Sequence, residues 1–373
     1  MSIFLFWLLW IAGFAVFTAT RFLILLFTTP AFRRKYLPAT IVYSLVGTFA
    51  LGGGILQLQS LTPSAQTQSI GPLGIFVIFC LLVAITIQLI RDTFGATVRG
   101  LATKGNRLVR LSKYADALTA YDRALIGARW YPNNQVRANI RIGRAGALLA
   151  LGRYDEALAA CDQALALAPA LALAWTLKGA VLTNQLRYSE AIPIYEHALT
   201  LTATDPQLWA LMAYALERAD RTDDALAASE KALQLAAAPG LTTPAPLATT
   251  PPPTWLLFAW IAHARALNTL DRSDEALTAA ERGVEQFPHF AAMQLTKAQV
   301  LTRLHRADEA QATAAEAVHA ADQQLAKLPH VVPVLVAKAN ALRLLGHDTE
   351  AEAIEAQVRA LLPNLTIVDG RAV

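Results

Sequence analysis

Apolar and polar residues are arranged in two different ways along this chain. Residues 3–27, 39–57 and 74–90 are almost unbroken apolar runs, and Arg21 is the one charged side chain within them. About 20 apolar residues cross the hydrocarbon core of a bilayer, so each run predicts a transmembrane helix. The third is close to the short limit, and Gly52, Gly53 and Gly54 interrupt the second. From residue 98 to 364 the apolar residues lie instead on single faces of short helical segments, separated by polar turns. In the stretch 172–205, residues 173–188 read as a first helix and 189–202 as a second, antiparallel one.

That unit repeats. RYDEAL at 153–158 returns as RYSEAI at 187–192, RTDDAL at 221–226, RSDEAL at 272–277 and RADEAQ at 306–311, with weaker copies KYADAL at 113–118 and HDTEAE at 347–352. The central alanines (Ala117, Ala157, Ala191, Ala225, Ala276, Ala310 and Ala351) are 40, 34, 34, 51, 34 and 41 residues apart. A fixed period in this range marks a solenoid, whose units bury their apolar faces on one another. Twelve residues before these alanines stand Gly105, Ala145, Gly179, Ala213, Ala264, Ala298 and Ala339. Seven after them stand Ala124, Ala164, Ala198, Ala232, Gly283, Ala317 and Val358. Small side chains in phase let the paired helices approach closely.

Larger residues fill the outer contacts: Tyr114, Tyr154 and Tyr188 three before the alanine, Tyr121 and Tyr195 four after it. Trp175, Trp209 and Trp260 stand sixteen before. Pro169, Pro288 and Pro363 end second helices. The turn carries a basic residue and then acids, and acids at a helix start suit its positive dipole end. Asp155, Glu156, Glu190, Asp224, Asp274, Glu275, Asp308 and Glu309 are therefore structural rather than catalytic.

The order of small residue, aromatic, alanine, aromatic, alanine and proline at period 34 resembles the tetratricopeptide repeat. The resemblance covers about 98–364. It implies an α-solenoid of about seven helix-turn-helix repeats, which with the three N-terminal transmembrane helices predicted by the apolar runs makes the expected fold all-α. Units 1–4 would fill 98–239 and units 5–7 255–364, with a membrane anchor at 1–93 and a tail at 365–373. The second aromatic becomes Ser229, Ala280, Ala314 and Glu355 in the last four units, and the final unit is degenerate at Asp348 and Val358, as suits a terminal cap. Residues 239–254 insert six prolines and no charge, which cannot continue a helix. They read as a surface loop or hinge, or as a docking segment.

The resemblance also implies a concave face, lined by the first helices, that holds a partner peptide or helix. By the repeat phase it includes Asn106, Arg110, Asn184, Tyr214, Arg218, Arg265, Asn268, Gln299, Arg303, Asn340 and Arg343. Five arginines recur there, with Glu217 the nearby acid. Such a lining suits an acidic protein partner through charge-assisted, bidentate hydrogen bonds; a solvated face is the plainer reading. The Lys/Asn two-carboxylate clamp of chaperone-binding members is not reproduced at matching positions.

Charge adds an orientation. Residues 1–113 hold ten Lys and Arg against Asp92 alone, a net +9, and 114–373 hold 22 basic and 27 acidic residues, a net −5. Arg33, Arg34 and Lys35 occupy the first loop, none charges the second, and Arg91, Arg99, Lys104, Arg107 and Arg110 follow the third run. Cationic loops stay cytoplasmic. The N-terminus and second loop are thus expected outside, and the repeats in the cytoplasm of a bacterial inner-membrane protein. Arg21 can snorkel from the cytoplasmic end of its span. Ser44, Thr48 and Gly52 form a small-residue face for packing among the spans. The N-terminus lacks the basic start and cleavage site of a signal peptide.

Chemistry changes the picture little. No GxxxxGK[ST], HExxH, GxSxG or CxxC occurs, and the seven histidines are scattered, with His319 and His330 the nearest to ligand spacing. Cys80 and Cys161 read as buried free thiols. The expectation is no enzyme, cofactor, metal, nucleic acid or small-molecule substrate, but a membrane-anchored scaffold or assembly factor for a protein partner. The alternative is an envelope-biogenesis module handling clients on the outer side.

Overall fold

The computed structural model describes residues 84, 88, 92, 95–129, 133–237, 253–362, 367–368 and 371–372. The predicted spans at 3–27 and 39–57, Cys80, and all but single residues of the third span and the ends of the proline-rich insertion lie outside them. Among the described residues no helix is long and apolar enough to cross a membrane.

Seven helical hairpins follow one another. The first joins a helix that includes 95–110 (α1) to α2 (Tyr114–Ala128). Next come α3 (Asn134–Ala150) with α4 (Tyr154–Leu167), α5 (Ala172–Asn184) with α6 (Tyr188–Leu201), and α7 (Pro206–Arg218) with α8 (Thr222–Ala237). The last three are α9 (Thr254–Thr269) with α10 (Ser273–Gln286), α11 (Ala291–Arg303) with α12 (Ala307–Lys327), and α13 (Val332–Leu344) with α14 (Asp348–Leu361). The chain divides into two compact units, one holding the residues up to Leu101 with Arg123–Asn133, the other Ala102–Asp122 with Asn134–Val373. The contacts below lie within the second.

Every hairpin turns in the same way. Five residues before the central alanine, Ser112, Gly152, Leu186, Asp220, Asp271, His305 and Gly346 take φ between 57° and 76°. The next amide returns to the carbonyl of a leucine five residues earlier (Leu108, Leu148, Leu182, Leu216, Leu267, Leu301, Leu342) at 2.9 to 3.0 Å. This is the 6→1 bond of a Schellman stop, in which one left-handed residue breaks the helical ladder and satisfies its last carbonyls. All but the first of these leucines are buried, so each helix end is pinned in the core. The stop corrects the predicted boundary in the third unit. Leu186 ends the first helix at Asn184, and Tyr188 opens the second rather than closing the first.

Left-handed backbone costs an L-residue about 1–2 kcal/mol and glycine little. A methyl on Gly346 would meet nothing within 4 Å, so Gly346→Ala reports the backbone alone. We expect it to lower stability by about 1 kcal/mol, and His305→Gly, on an exposed side chain, to raise it by about 0.5 kcal/mol. Opposite shifts in thermal midpoint are the check.

After the turn, Arg153, Arg187, Arg221, Arg272 and Arg306 pair with the acid three residues on (Glu156, Glu190, Asp224, Glu275 and Glu309) at 2.5 to 2.7 Å. These exposed pairs dress the turn and add little stability. Across the joints, Arg144 meets Asp122 (2.8 Å), Lys178 meets Asp162 (2.7 Å) and Lys338 meets Asp322 (2.6 Å), tying first helices to preceding second helices.

The small-residue columns carry the packing. The central alanines are 0 to 6% exposed. Where the residue four after the alanine is tyrosine, the facing position is glycine: a methyl on Gly105 would stand 2.6 Å from Cε1 of Tyr121, and one on Gly179 2.5 Å from Cε1 of Tyr195. Where that residue is Cys161, Ser229, Ala280, Ala314 or Glu355, alanine faces it. Loss of the aromatic in the later units is thus a matched exchange of volume between two helices. Trp175 and Trp209 donate from Nε1 to the carbonyls of Pro169 and Ala203, both at 2.8 Å, and Gln294 does the same to Pro288 at 3.1 Å, closing the joint loops.

The irregular spacings are absorbed without losing phase. The 41-residue step lengthens α12 to 21 residues against 14 in α10, and seven residues make nearly two whole turns. Second helices end before Pro169, Pro288 and Pro363, at Leu167, Gln286 and Leu361, because the residue preceding proline avoids the helical region. The terminal α14 buries only Ala351 and Val358. Outside the α-solenoid, Ile367–Val368 and Arg371–Ala372 form a two-stranded antiparallel ladder (β1, β2).

Candidate partner-binding surface

The first helices of units 4 to 7 carry, eleven residues before their alanines, Tyr214, Arg265, Gln299 and Asn340. These neighbours of the small column face inward. Arg265 joins three of the helices, with Nη1 3.3 Å from Glu217 Oε2 on α7 and Nη2 3.2 Å from Gln299 Oε1 on α11. The Arg265 and Glu217 side chains are each only 14% exposed. Arg218 sits with its guanidinium carbon 5.5 Å from the centre of the Tyr188 ring, a cation–π contact worth about 1–2 kcal/mol when desolvated. Tyr188 meets Tyr214 edge-on at 6.3 Å, and Tyr214 meets Phe258 at 5.3 Å. Burial pushes the Tyr188 phenol well above its usual range, so it stays protonated.

Two features of this cluster bear on binding. Arg218 Nε is buried with no hydrogen-bond partner, and an unpaired buried N–H costs about 1–3 kcal/mol. Two arginines here also face one carboxylate, Glu217. Around them lies a cavity of about 20 Å³ lined by residues of five units, from Tyr188 through Arg218, Arg265 and Leu295 to Val336 and Asn340. The stack is wound tightly enough for the second unit to reach the seventh: Tyr154 Oη donates to the carbonyl of His330 at 3.1 Å. A methyl on Gly152 would lie 3.2 Å from His330 Cβ.

Of the eleven residues predicted for the concave face, Tyr214, Arg218, Arg265, Gln299 and Asn340 come together here. The others are placed elsewhere. Arg303 pairs with Asp271, and Arg343 with Glu355 of its own hairpin at 2.7 Å. Asn268 accepts from Ser273 (3.4 Å), Asn184 donates to its own helix at Ala180 (2.8 Å), Asn106 accepts from Tyr121 (2.6 Å), and Arg110 is exposed. Tyr154 and Tyr188, expected as outer packing, turn out to be a contact between distant units and the platform for Arg218.

Among the described residues no three His, Cys, Asp or Glu side chains converge to hold a metal ion. Cys161 is fully buried and its thiol is pushed up to about 12, chiefly by burial. A maleimide should therefore label it only after unfolding, as mass spectrometry can show. His263 on α9 lies with Nδ1 3.1 Å from Ser229 Oγ on α8. Burial, above all, holds its pKa below the usual range, with Arg272 acting in the same sense and Glu230 and Glu275 against it. A depressed folded pKa means the unfolded chain binds more protons. The contribution is complete above about pH 6.5 and lost as pH falls toward the folded value. We expect the urea midpoint to fall below about pH 6.5, and His263→Gln to flatten that slope.

Residues 103–172 match the family model for the tetratricopeptide repeat. A tetratricopeptide repeat protein from Parabacteroides merdae superposes with a TM-score of 0.45 at 13% identity, over 71% of this chain and 97% of its own. PilW, a type IV pilus biogenesis factor, gives 0.41 at 17% identity, over 62% and 96%. YrrB, described as having an unusual peptide-binding site, gives 0.35 at 21% identity, over 52% and 90%. No curated protein matches the chain.

Proposed function

We propose that this protein is a membrane-anchored scaffold or assembly factor whose solenoid holds an acidic segment of a protein partner against Arg218 and Arg265. The observation that carries this is the pair of enclosed guanidinium groups facing one carboxylate, with Arg218 Nε unpaired. A partner carboxylate supplies both the missing charge and the missing acceptor. The apolar runs at 3–27, 39–57 and 74–90 support the anchor. The cationic first loop and the basic residues after the third run support a cytoplasmic solenoid.

The test is affinity capture from membranes by wild type and by Arg218→Glu/Arg265→Glu, run beside protease protection of the C-terminal tail. Loss of a captured protein in the variant, with the melt retained, supports the reading; an unchanged set rejects it. A tail cleaved only from outside would leave the envelope-side alternative in its place.

A further inference from the structure

The cavity beside Arg218 and Arg265 is half open to solvent, and its two sides differ in kind. On the side of units 3 to 5 stand Tyr188, Tyr214 and the two arginines, with Glu217 held by Arg265 at 3.3 Å. On the side of units 6 and 7 stand Leu295, Pro333, Val336 and Ala337, with Asn340 as their polar neighbour. Leu295, Val336 and Ala337 are buried, so core packing fixes this wall. Their side chains offer no hydrogen bond to a polar group pressed against them. The charges are few enough to count. Arg218 and Arg265 against Glu217 leave a surplus of one positive charge. Arg218 Nε is the donor without an acceptor, and the Tyr188 ring 5.5 Å from that guanidinium holds it in place before anything binds.

One incoming carboxylate neutralises that surplus and accepts from Nε. A second negative charge finds no cation left and lies against the apolar wall, where an unpaired charge is costly to bury. An aliphatic side chain in the same place gains by losing its water. We propose that the site selects a single carboxylate flanked by an aliphatic side chain, and discriminates against acidic runs and phosphorylated residues. This rests on the binding reading above and narrows its partner. Arg218 and Arg265 hold the acid, and Leu295 and Val336 determine which residue accompanies it. A phosphorylated residue carries nearly two charges at neutral pH, more than the surplus can meet.

The probe is a displayed library of random peptides, panned on the purified full chain in detergent micelles and in parallel on Arg218→Glu/Arg265→Glu. Peptides recovered on the wild type alone are synthesised, and fluorescence anisotropy gives their affinities. The next changes are made in the peptide, where they cannot unfold the chain. Converting its acid to the amide should weaken binding at least tenfold. Converting the aliphatic residue to alanine should weaken it about tenfold, and to glutamate by more still. Phosphoserine in place of the acid should bind less tightly than the acid. In the chain, Val336→Thr should shrink the difference between the aliphatic and alanine peptides while leaving the alanine peptide's affinity unchanged, a coupling that general loosening of the fold does not produce. The same difference in both chains would overturn the role of Val336. A glutamate or phosphoserine peptide that binds as tightly as the parent rejects the selection and leaves the binding reading standing. If no peptide distinguishes the wild type from the double variant, the binding reading fails and the selection with it.

Discussion

Replacing Ala191 with Phe is expected to lower the thermal midpoint by about 6–12 °C. Ala191 is fully buried where the second helix of the third unit crosses the first. The facing residue is Gly179, itself pressed against the Tyr195 ring. A phenyl group has no open side to move toward, and forcing it in separates the helices along both neighbouring joints. Overpacking of a tight core costs about 3 kcal/mol at the upper end of its usual range. In a solenoid of this size each kcal/mol shifts the midpoint by about 2–4 °C. Calorimetry of the purified chain is the measurement, and a midpoint within 1–2 °C of wild type would show that the columns do not set the helix spacing.

The glycine–tyrosine exchange predicts a second large effect with a distinctive signature. Gly179→Ala puts a methyl 2.5 Å from the ring carbon of Tyr195. The ring is fully buried and its hydroxyl lies 3.1 Å from Thr183 Oγ1, so it cannot swing aside. The cost should be about 2–3 kcal/mol. Tyr195→Ser alone, copying Ser229 of the next unit, leaves a cavity and should cost about 3–4 kcal/mol. The double change copies the alanine–serine pair that the fourth unit already uses, so the clash disappears and the methyl fills part of the void. A favourable coupling of about 2 kcal/mol is expected from a urea-denaturation cycle. Strict additivity would mean that the two columns are independent.

The sequence made the repeat legible because its determinants are local and recur. An alanine flanked at fixed distances by small residues, with acids at the next helix start, leaves little freedom about which helices pair. Two equally regular columns went unread, the leucine nine before the alanine and the residue five before it. The first looks like any core leucine. The second shares a conformation rather than a side chain, being Ser, Gly, Leu, Asp, Asp, His and Gly, so no residue type announces it. That is why the pattern predicts the first helix of the third unit to run on to Tyr188, four residues past its end at Asn184.

The interior was less legible. Arg218, Arg265, Tyr214, Gln299 and Asn340 fall on one face by phase, but Arg303 and Arg343 satisfy the same phase and are taken up by Asp271 and Glu355, which phase does not weigh. The meeting of Tyr154 with His330 depends on small tilts summed over five joints, and no residue pattern records such a sum. The three apolar runs are a different matter. Their length and charge flanks argue for a membrane, and all but two of their residues lie outside the described ones.

The account turns on one register of small side chains that winds seven hairpins until the second meets the seventh. Spin labels at Arg153→Cys and Lys327→Cys, in the chain with Cys80 and Cys161 changed to Ala, measure that meeting directly. The prediction is a single narrow distance distribution at the short end of the measurable range, broadened and lengthened by Tyr154→Phe. A broad distribution centred on well-separated labels with Tyr154 in place would contradict it.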